Sequence, residues 1–146
     1  MNDIALAWVE GGTREFFLEP ITLTNVQLAI DSFPSGKAPG TEEITAKFYK
    51  RFRDLLAPRL LEFYETAREM GTLHPTTRED LISIILKPGK DPTDPASYRP
   101  ISLLNMDSKI LACILANRLN PLMPTFALPD QSGFIPGRAT ANNLRI

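Results

Sequence analysis

Between residues 97 and 105 the sequence is Ser97-Tyr98-Arg99-Pro100-Ile101-Ser102-Leu103-Leu104-Asn105. The apolar run that begins at Ile101 predicts a short β-strand. A second run, residues 81–86, is rich in β-branched side chains and also has strand length. Because the segment between the two runs is dense in proline, glycine and aspartate, the runs are expected to form a hairpin.

Two shorter helices are predicted on either side of this hairpin. Thr24 followed three residues later by Gln27 is a capping-box pattern, and it predicts a helix over residues 25–33. After the hairpin, Asp107 is suited to cap a helix that carries apolar side chains on one face and ends near Pro121.

The stretch from residue 45 to residue 70 carries apolar side chains at helical spacing. Pro58 lacks a backbone donor, so the stretch is either one kinked helix or two helices, and Gly71 is a natural stop. The aromatic side chains of the stripe are expected in the core: Phe48, Phe52, Phe63 and Tyr64. The order helix, long helix, hairpin, helix predicts an α+β fold.

The composition is close to the globular average, with 43% hydrophobic and 23% charged residues, and the single cysteine favours an intracellular, reducing compartment. One cysteine, Cys113, and one histidine, His74, exclude an internal disulfide and a zinc-type cluster. The apolar stretch 4–9 is too short for a signal sequence or a membrane span. Residues 1–80 carry a net charge of −4 and residues 81–146 a net charge of +3, which makes the second half the more plausible partner for phosphates.

The sequence around Arg99 allows two interpretations of its role. A guanidinium held between a proline and the start of a strand suits bidentate contact with phosphate oxygens. Alternatively, Arg99 pairs across the loop with Asp91 or Asp94. The spacing of these residues along the sequence does not distinguish between the two interpretations.

Five ordered blocks over about residues 21–146 resemble the fingers motifs of reverse transcriptases from non-LTR (LINE-type) retrotransposons. The blocks are Gly36-Lys37-Ala38-Pro39-Gly40, Lys47-Phe48-Tyr49-Lys50, Lys87-Pro88-Gly89-Lys90-Asp91-Pro92 with residues 97–105, the segment 109–119, and Asp130-Gln131-Ser132-Gly133-Phe134-Ile135-Pro136-Gly137-Arg138 with Asn142-Asn143-Leu144. The resemblance implies a fingers-type α+β subdomain of a right-hand polymerase with an incomplete palm. It divides the chain into a poorly defined extension, residues 1–20, and a partial reverse transcriptase domain, residues 21–146.

The resemblance also implies site residues. Arg99 matches the arginine expected to grip the triphosphate of the incoming deoxynucleotide, with Lys87 as a basic partner on the facing strand. The segment expected along the template comprises Gln131, Gly133, Phe134, Gly137 and Arg138. The implied partners are a deoxynucleoside triphosphate and an RNA template or RNA–DNA hybrid, and no membrane.

The sequence departs from the family pattern where Thr41-Glu42-Glu43 replaces an Asp-Gly turn, and at Cys113, where a basic residue is common. The chain is also expected to end upstream of the metal-binding carboxylates, without most of the palm and the thumb. Neither Glu42-Glu43 nor the pair Asp91 and Asp94 is expected to hold a metal, because turn-forming and solubility roles are much commoner for acidic residues in loops.

These expectations describe a reverse transcriptase fragment that is inactive alone, with no catalytic or metal-binding residue of its own, while the complete enzyme would use magnesium. Two alternatives remain. One is a non-enzymatic binder of RNA or RNA–DNA hybrid, and the other is a decayed remnant that folds poorly.

Overall fold

The computed structural model describes residues 19–128, 131, 133, 135, 137 and 138. The chain forms two compact units, one spanning Ile21–Ala112 and the other combining Met1–Pro20 with Cys113–Ile146. Most of the predicted N-terminal extension, residues 1–18, lies outside the described residues.

Helix α1 spans Leu23–Ser32 and begins at a capping box two residues before the predicted one. The backbone N–H of Asn25 donates to Thr22 Oγ1 at 3.2 Å, and the backbone N–H of Thr22 donates to Asn25 Oδ1 at 3.1 Å. The helix was therefore correctly predicted, but its cap was not, because asparagine closes the box here in place of the usual Glu or Gln.

The stretch 45–70 forms two helices, α2 at Ala46–Arg51 and α3 at Arg53–Met70. The break lies at Phe52, whose φ of −109° and ψ of 24° leave the helical region. Pro58 lies inside α3 on an exposed side. The Asp54 carbonyl, which the proline ring deprives of a donor, can therefore bond to water.

The break at Phe52 also changes which aromatic side chains are buried. Tyr64 is 2% exposed and Tyr49 is 7% exposed, whereas Phe48 and Phe52 are 45% and 44% exposed. The prediction of a core position is confirmed for Tyr64 and wrong for Phe48 and Phe52. A stripe drawn at 3.6-residue spacing assumes one continuous helix, and the break ends that continuity.

The hairpin is confirmed, and the α+β class with it. Strand β1 spans Asp80–Leu86 and strand β2 spans Tyr98–Leu104, and the two pair antiparallel. A short 3₁₀ turn, Pro95–Ser97, leads into β2. Large apolar side chains are exposed along the ribbon, including Ile82 at 64% and Ile84 at 66%.

Helix α4 spans Met106–Leu119 and the short α5 spans Met123–Phe126. In the unit Ile21–Ala112 the buried apolar residues come from four helices: Val26, Ala29, Ile30, Ala46, Tyr49, Ala57, Tyr64, Met106 and Ile110. Cys113 is half-buried. Among the helices described, none has the length and apolar character that a membrane span requires.

Candidate functional site

Lys87 and Arg99 come together on one face of the hairpin. Arg99 is the register partner of Ile85, and Lys87 follows Ile85 by two residues. Side chains two residues apart on a strand point to the same face. The backbone N–H of Lys87 donates to the Ser97 carbonyl at 2.8 Å, which continues the pairing one residue beyond Leu86. The two residues expected to contact nucleotide are therefore diagonal neighbours at the loop end of the ribbon.

Arg99 is exposed, and the acidic residues of the loop are engaged elsewhere. Asp91 Oδ1 accepts hydrogen bonds from the backbone N–H and the hydroxyl of Thr93 at 2.8 and 2.7 Å, and these bonds hold the pKa of Asp91 below its ordinary value. Asp94 Oδ1 accepts from the backbone N–H of Ala96 at 2.9 Å. Within the described part of the chain, the Arg99 guanidinium forms no ion pair. The alternative in which Arg99 pairs with Asp91 or Asp94 is therefore wrong.

The backbone on either side of Arg99 is held firmly. Pro100 fixes its own φ and lies opposite Ile84 in the register. The Tyr98 hydroxyl donates to the Pro92 carbonyl at 3.0 Å, which ties the loop to the start of β2. Arg99 thus combines a stiff backbone with a side chain that reaches solvent.

Lys87 is partly engaged in shaping the same loop. Its ammonium donates to the Ala96 carbonyl at 2.7 Å. An ammonium carries three donors, so two remain for an anion on this face.

Arg138, predicted to contact the template, makes four hydrogen bonds within its own segment. Nη1 donates to the carbonyls of Leu128 and Gln131, and Nη2 donates to those of Pro124 and Ala127 at 3.1 Å each. Of the five guanidinium N–H groups, only the one on Nε is outside these bonds. In this structure Arg138 organises the segment that follows α5.

The other residues predicted along the template are placed only in part. Gln131 Nε2 donates to the Gly133 carbonyl at 3.1 Å, and both residues are exposed. Gly137 is exposed with a φ of +78°, a left-handed conformation that favours glycine. Phe134 lies outside the described residues.

Acidic side chains do not converge into a metal site within the ranges that the structure describes, where no cluster of three or more His, Cys, Asp or Glu side chains is able to hold an ion. Asp91 and Asp94 form turns, as predicted. Burial and the charge of Asp107 raise the pKa of Glu42. The described residues therefore do not fit a two-metal centre for nucleotidyl transfer. The magnesium of the complete enzyme stays a prediction.

Asn105 forms a contact that the sequence did not reveal. It is 1% exposed, and its Oδ1 accepts from the Thr41 hydroxyl at 3.2 Å and from the backbone N–H of Glu42 at 3.1 Å. Gly40 lies so close that a Cβ there would be 2.3 Å from Asn105 Oδ1 and 2.6 Å from the carbonyl carbon of Leu104. We call these bonds and this close approach the Asn105 clamp. It fixes the loop after α1 against the end of β2, across more than 60 residues of sequence.

Two buried tyrosines lie near Asp107. The Tyr64 hydroxyl donates to the Asp107 carbonyl at 2.8 Å. Burial, followed by the charges of Asp107 and Glu42, raises the pKa of Tyr49 to about 12. The pKa of Tyr64 is also raised, chiefly by burial. Both phenols are thus protonated at neutral pH, and the hydrogen bond from Tyr64 ties α3 to the start of α4.

Comparison with known proteins connects this hairpin to a family. Residues 85–145 match the family described as "Reverse transcriptase (RNA-dependent DNA polymerase)". The match begins inside β1 and includes Lys87, Arg99 and the segment 131–138.

Individual relatives extend the similarity over most of the chain. The "Transposon TX1 uncharacterized 149 kDa protein" of Xenopus laevis is 34% identical over 131 residues, which is 90% of this chain and 10% of that protein. The "Probable RNA-directed DNA polymerase from transposon BS" of Drosophila melanogaster is 33% identical over 87% of this chain and 14% of its own length. The "RNA-directed DNA polymerase from mobile element jockey" of Drosophila funebris is 31% identical over 69% of this chain.

The chain thus spans about a tenth to a seventh of the length of these relatives. Their similarity includes the helices before the hairpin as well as the hairpin itself, since two of them match nearly nine-tenths of the residues. The chain therefore belongs to the reverse transcriptases of non-LTR (LINE-type) retrotransposons.

Proposed function

We propose that the chain forms a fingers-type portion of a right-hand polymerase, in which the hairpin face with Lys87 and Arg99 binds the triphosphate of an incoming deoxynucleotide. The observation that carries this proposal is that Arg99 has a fixed backbone and an exposed side chain. Its backbone is fixed by the strand and by Pro100, while its guanidinium is exposed and free of the loop carboxylates.

The chemistry of the two side chains suits a polyphosphate. A guanidinium presents parallel N–H groups that match two phosphate oxygens, and a fixed backbone reduces the entropy lost when they bind. Lys87 adds a compact positive charge on the same face, with two donors still available. A triphosphate spans several oxygens and can contact both groups at once.

The template is assigned to the segment 131–138. Arg138 holds this segment through backbone carbonyls, which leaves its Nε and the backbone N–H groups of Gly133 and Gly137 for template phosphates, while its own backbone N–H donates to the Ile135 carbonyl at 3.2 Å. An RNA template or RNA–DNA hybrid is the expected partner, since two of the relatives are named as RNA-directed DNA polymerases. The family resemblance implies that two of the metal-binding carboxylates are adjacent aspartates, and the 146 residues contain no such pair. We therefore assign magnesium-dependent polymerisation to the complete enzyme and not to this segment.

The test is deoxythymidine triphosphate binding in the presence of magnesium, measured by isothermal titration calorimetry. Removing a charge-assisted bidentate contact costs about 1.5–3 kcal/mol, so Arg99→Ala is expected to raise Kd roughly tenfold or more. Arg99→Lys is expected to restore only part of the affinity, because an ammonium lacks the planar fork.

Arg51→Ala is the matched control, because Arg51 is an exposed arginine that belongs to α2 and not to the hairpin. It is expected to bind the triphosphate like the unchanged chain. The monophosphate is expected to bind weakly to all variants. An Arg99→Ala chain that binds the triphosphate normally would contradict the proposal.

A further inference from the structure

A second candidate site lies away from the hairpin face, where the loop after α1 meets the start of α4. It is a cavity of about 230 Å³ with an apolar lining that includes Phe33, Pro39, Ala46 and Met106. Two lysines, Lys37 and Lys109, also line it. The cavity is smaller than the roughly 300–1,000 Å³ usual for drug-sized ligands, so it suits one planar ring system.

The two lysines give this apolar cavity a positive rim. Lysine stems lie along apolar surface while their ammonium groups stay in water. Lys109 Nζ reaches the Ala38 carbonyl only at 3.5 Å, a long contact that leaves its other donors available. Lys37 is exposed. Two like charges on one small cavity repel each other, and an anion between them would relieve that repulsion.

The walls of the cavity are fixed before any ligand binds. Pro34 and Pro39 restrict the loop, and the Asn105 clamp holds its far end through Thr41 and Glu42. A preformed site loses little conformational entropy on binding. This loop is therefore held more rigidly than its glycine and proline content alone would indicate.

We infer that this cavity binds one nucleotide of a single-stranded nucleic acid, with the base against Phe33 and the apolar lining and a phosphate between Lys37 and Lys109. Aromatic stacking combined with a cationic path for the backbone is how proteins hold single strands without selecting sequence. The inference rests on the proposed function only in assuming that the chain acts on nucleic acid. It uses no residue of the hairpin face.

The test is fluorescence anisotropy with a labelled eight-nucleotide oligouridylate, and with its deoxy counterpart, over a series of salt concentrations. For single strands the slope of log affinity against log salt changes by roughly 0.7 for each neutralised phosphate. Lys37→Ala and Lys109→Ala are each expected to weaken binding and to flatten the slope by at most about that amount, because the two lysines share one phosphate. Phe33→Leu is expected to weaken binding roughly tenfold with the slope unchanged.

Lys47→Ala is the matched control, because Lys47 is an exposed lysine on α2 beside the cavity-lining Ala46. It is expected to match the unchanged chain in affinity and slope. Thermal melting of each variant separates loss of binding from loss of fold. Lys37→Glu changes an exposed position and is expected to abolish binding without lowering Tm.

Two results would overturn the inference. The first is unchanged affinity and slope in both lysine variants. The second is displacement of the oligonucleotide by uridine monophosphate at equal affinity, which would indicate a free nucleotide as the ligand. Triphosphate binding at Arg99 is measured separately and is expected to be unchanged in Lys37→Ala. The two proposals can therefore fail independently of each other.

Discussion

Gly40 has no room for a side chain, since an added Cβ would lie within 2.6 Å of the backbone nitrogen of Asn105 and of the Leu104 carbonyl carbon. Gly40→Ala therefore forces backbone to move rather than a flexible side chain. Overpacking of this kind costs about 1–3 kcal/mol, so the free energy of unfolding in urea is expected to fall by that amount.

Gly133→Ala is the control for Gly40→Ala, because the nearest atom to its added Cβ is Gln131 Nε2 at 3.9 Å. It is expected to change stability by less than about 0.5 kcal/mol. Equal stability of the two variants would contradict the close approach at Gly40.

Two arginines were predicted to contact phosphate, and their surroundings differ. Arg99 extends from a paired strand into solvent, whereas Arg138 donates to carbonyls of Leu128, Gln131, Pro124 and Ala127. The sequence pattern around each arginine did not distinguish these environments. The carbonyls that Arg138 contacts come from a helix end and a turn, whose positions depend on the folded chain.

Among the helices, α3 ends at a glycine that the sequence identified correctly. Gly71 has a φ of +67°, and the N–H groups of Gly71 and Thr72 donate to the carbonyls of Arg68 and Ala67 at 3.3 and 3.2 Å. This is the pattern of a Schellman motif, which requires a left-handed residue.

Gly71→Ala is expected to lower the free energy of unfolding by about 1 kcal/mol, because a Cβ is strained in the left-handed region although the surrounding space is open. Gly71→Asn is the matched comparison and is expected to cost less, since asparagine tolerates this conformation. Urea unfolding followed by circular dichroism measures both. A larger loss for asparagine than for alanine would contradict the assignment.

The types of secondary structure could be predicted from the sequence more readily than the way in which the helices and strands pack. Hydrophobic periodicity located α1, the stretch 45–70 and the hairpin, because period and turn residues are local signals. The break at Phe52 was missed, since neither proline nor glycine marks it. The proximity of Lys87 and Arg99 depends on the register in which β1 pairs with β2. An eleven-residue connection does not fix that register, so the sequence alone could not predict it.

For the whole molecule, the buried phenols predict how stability depends on pH. The folded state raises the pKa of Tyr49 from 10.0 to about 12, so folding favours the protonated phenol. In the unfolded chain the proton leaves first, near pH 10. The contribution of Tyr49 is therefore complete below pH 10 and is lost as pH rises through about 12, by at most roughly 1.4 kcal/mol per pH unit.

Urea unfolding at pH 8, 10 and 11 measures this loss. Tyr49→Phe is expected to reduce the decline above pH 10 without removing it, because the pKa of Tyr64 is raised as well. An identical decline in the two chains would contradict a role for Tyr49.

The Asn105 clamp also bears on how the ribbon avoids alternative pairings. A slip of one residue in a hairpin exchanges its two faces, and the pairing is usually protected because one face is apolar and the other polar. Here exposed apolar side chains occur on both faces, with Ile82 and Ile84 on one and Ile85 and Ile101 on the other. Hydrophobicity alone therefore gives little preference between the correct pairing and a slipped one. Asn105 follows β2 directly, so a slip would withdraw its amide from the loop after α1, and the clamp therefore stabilises the correct register over a slipped one.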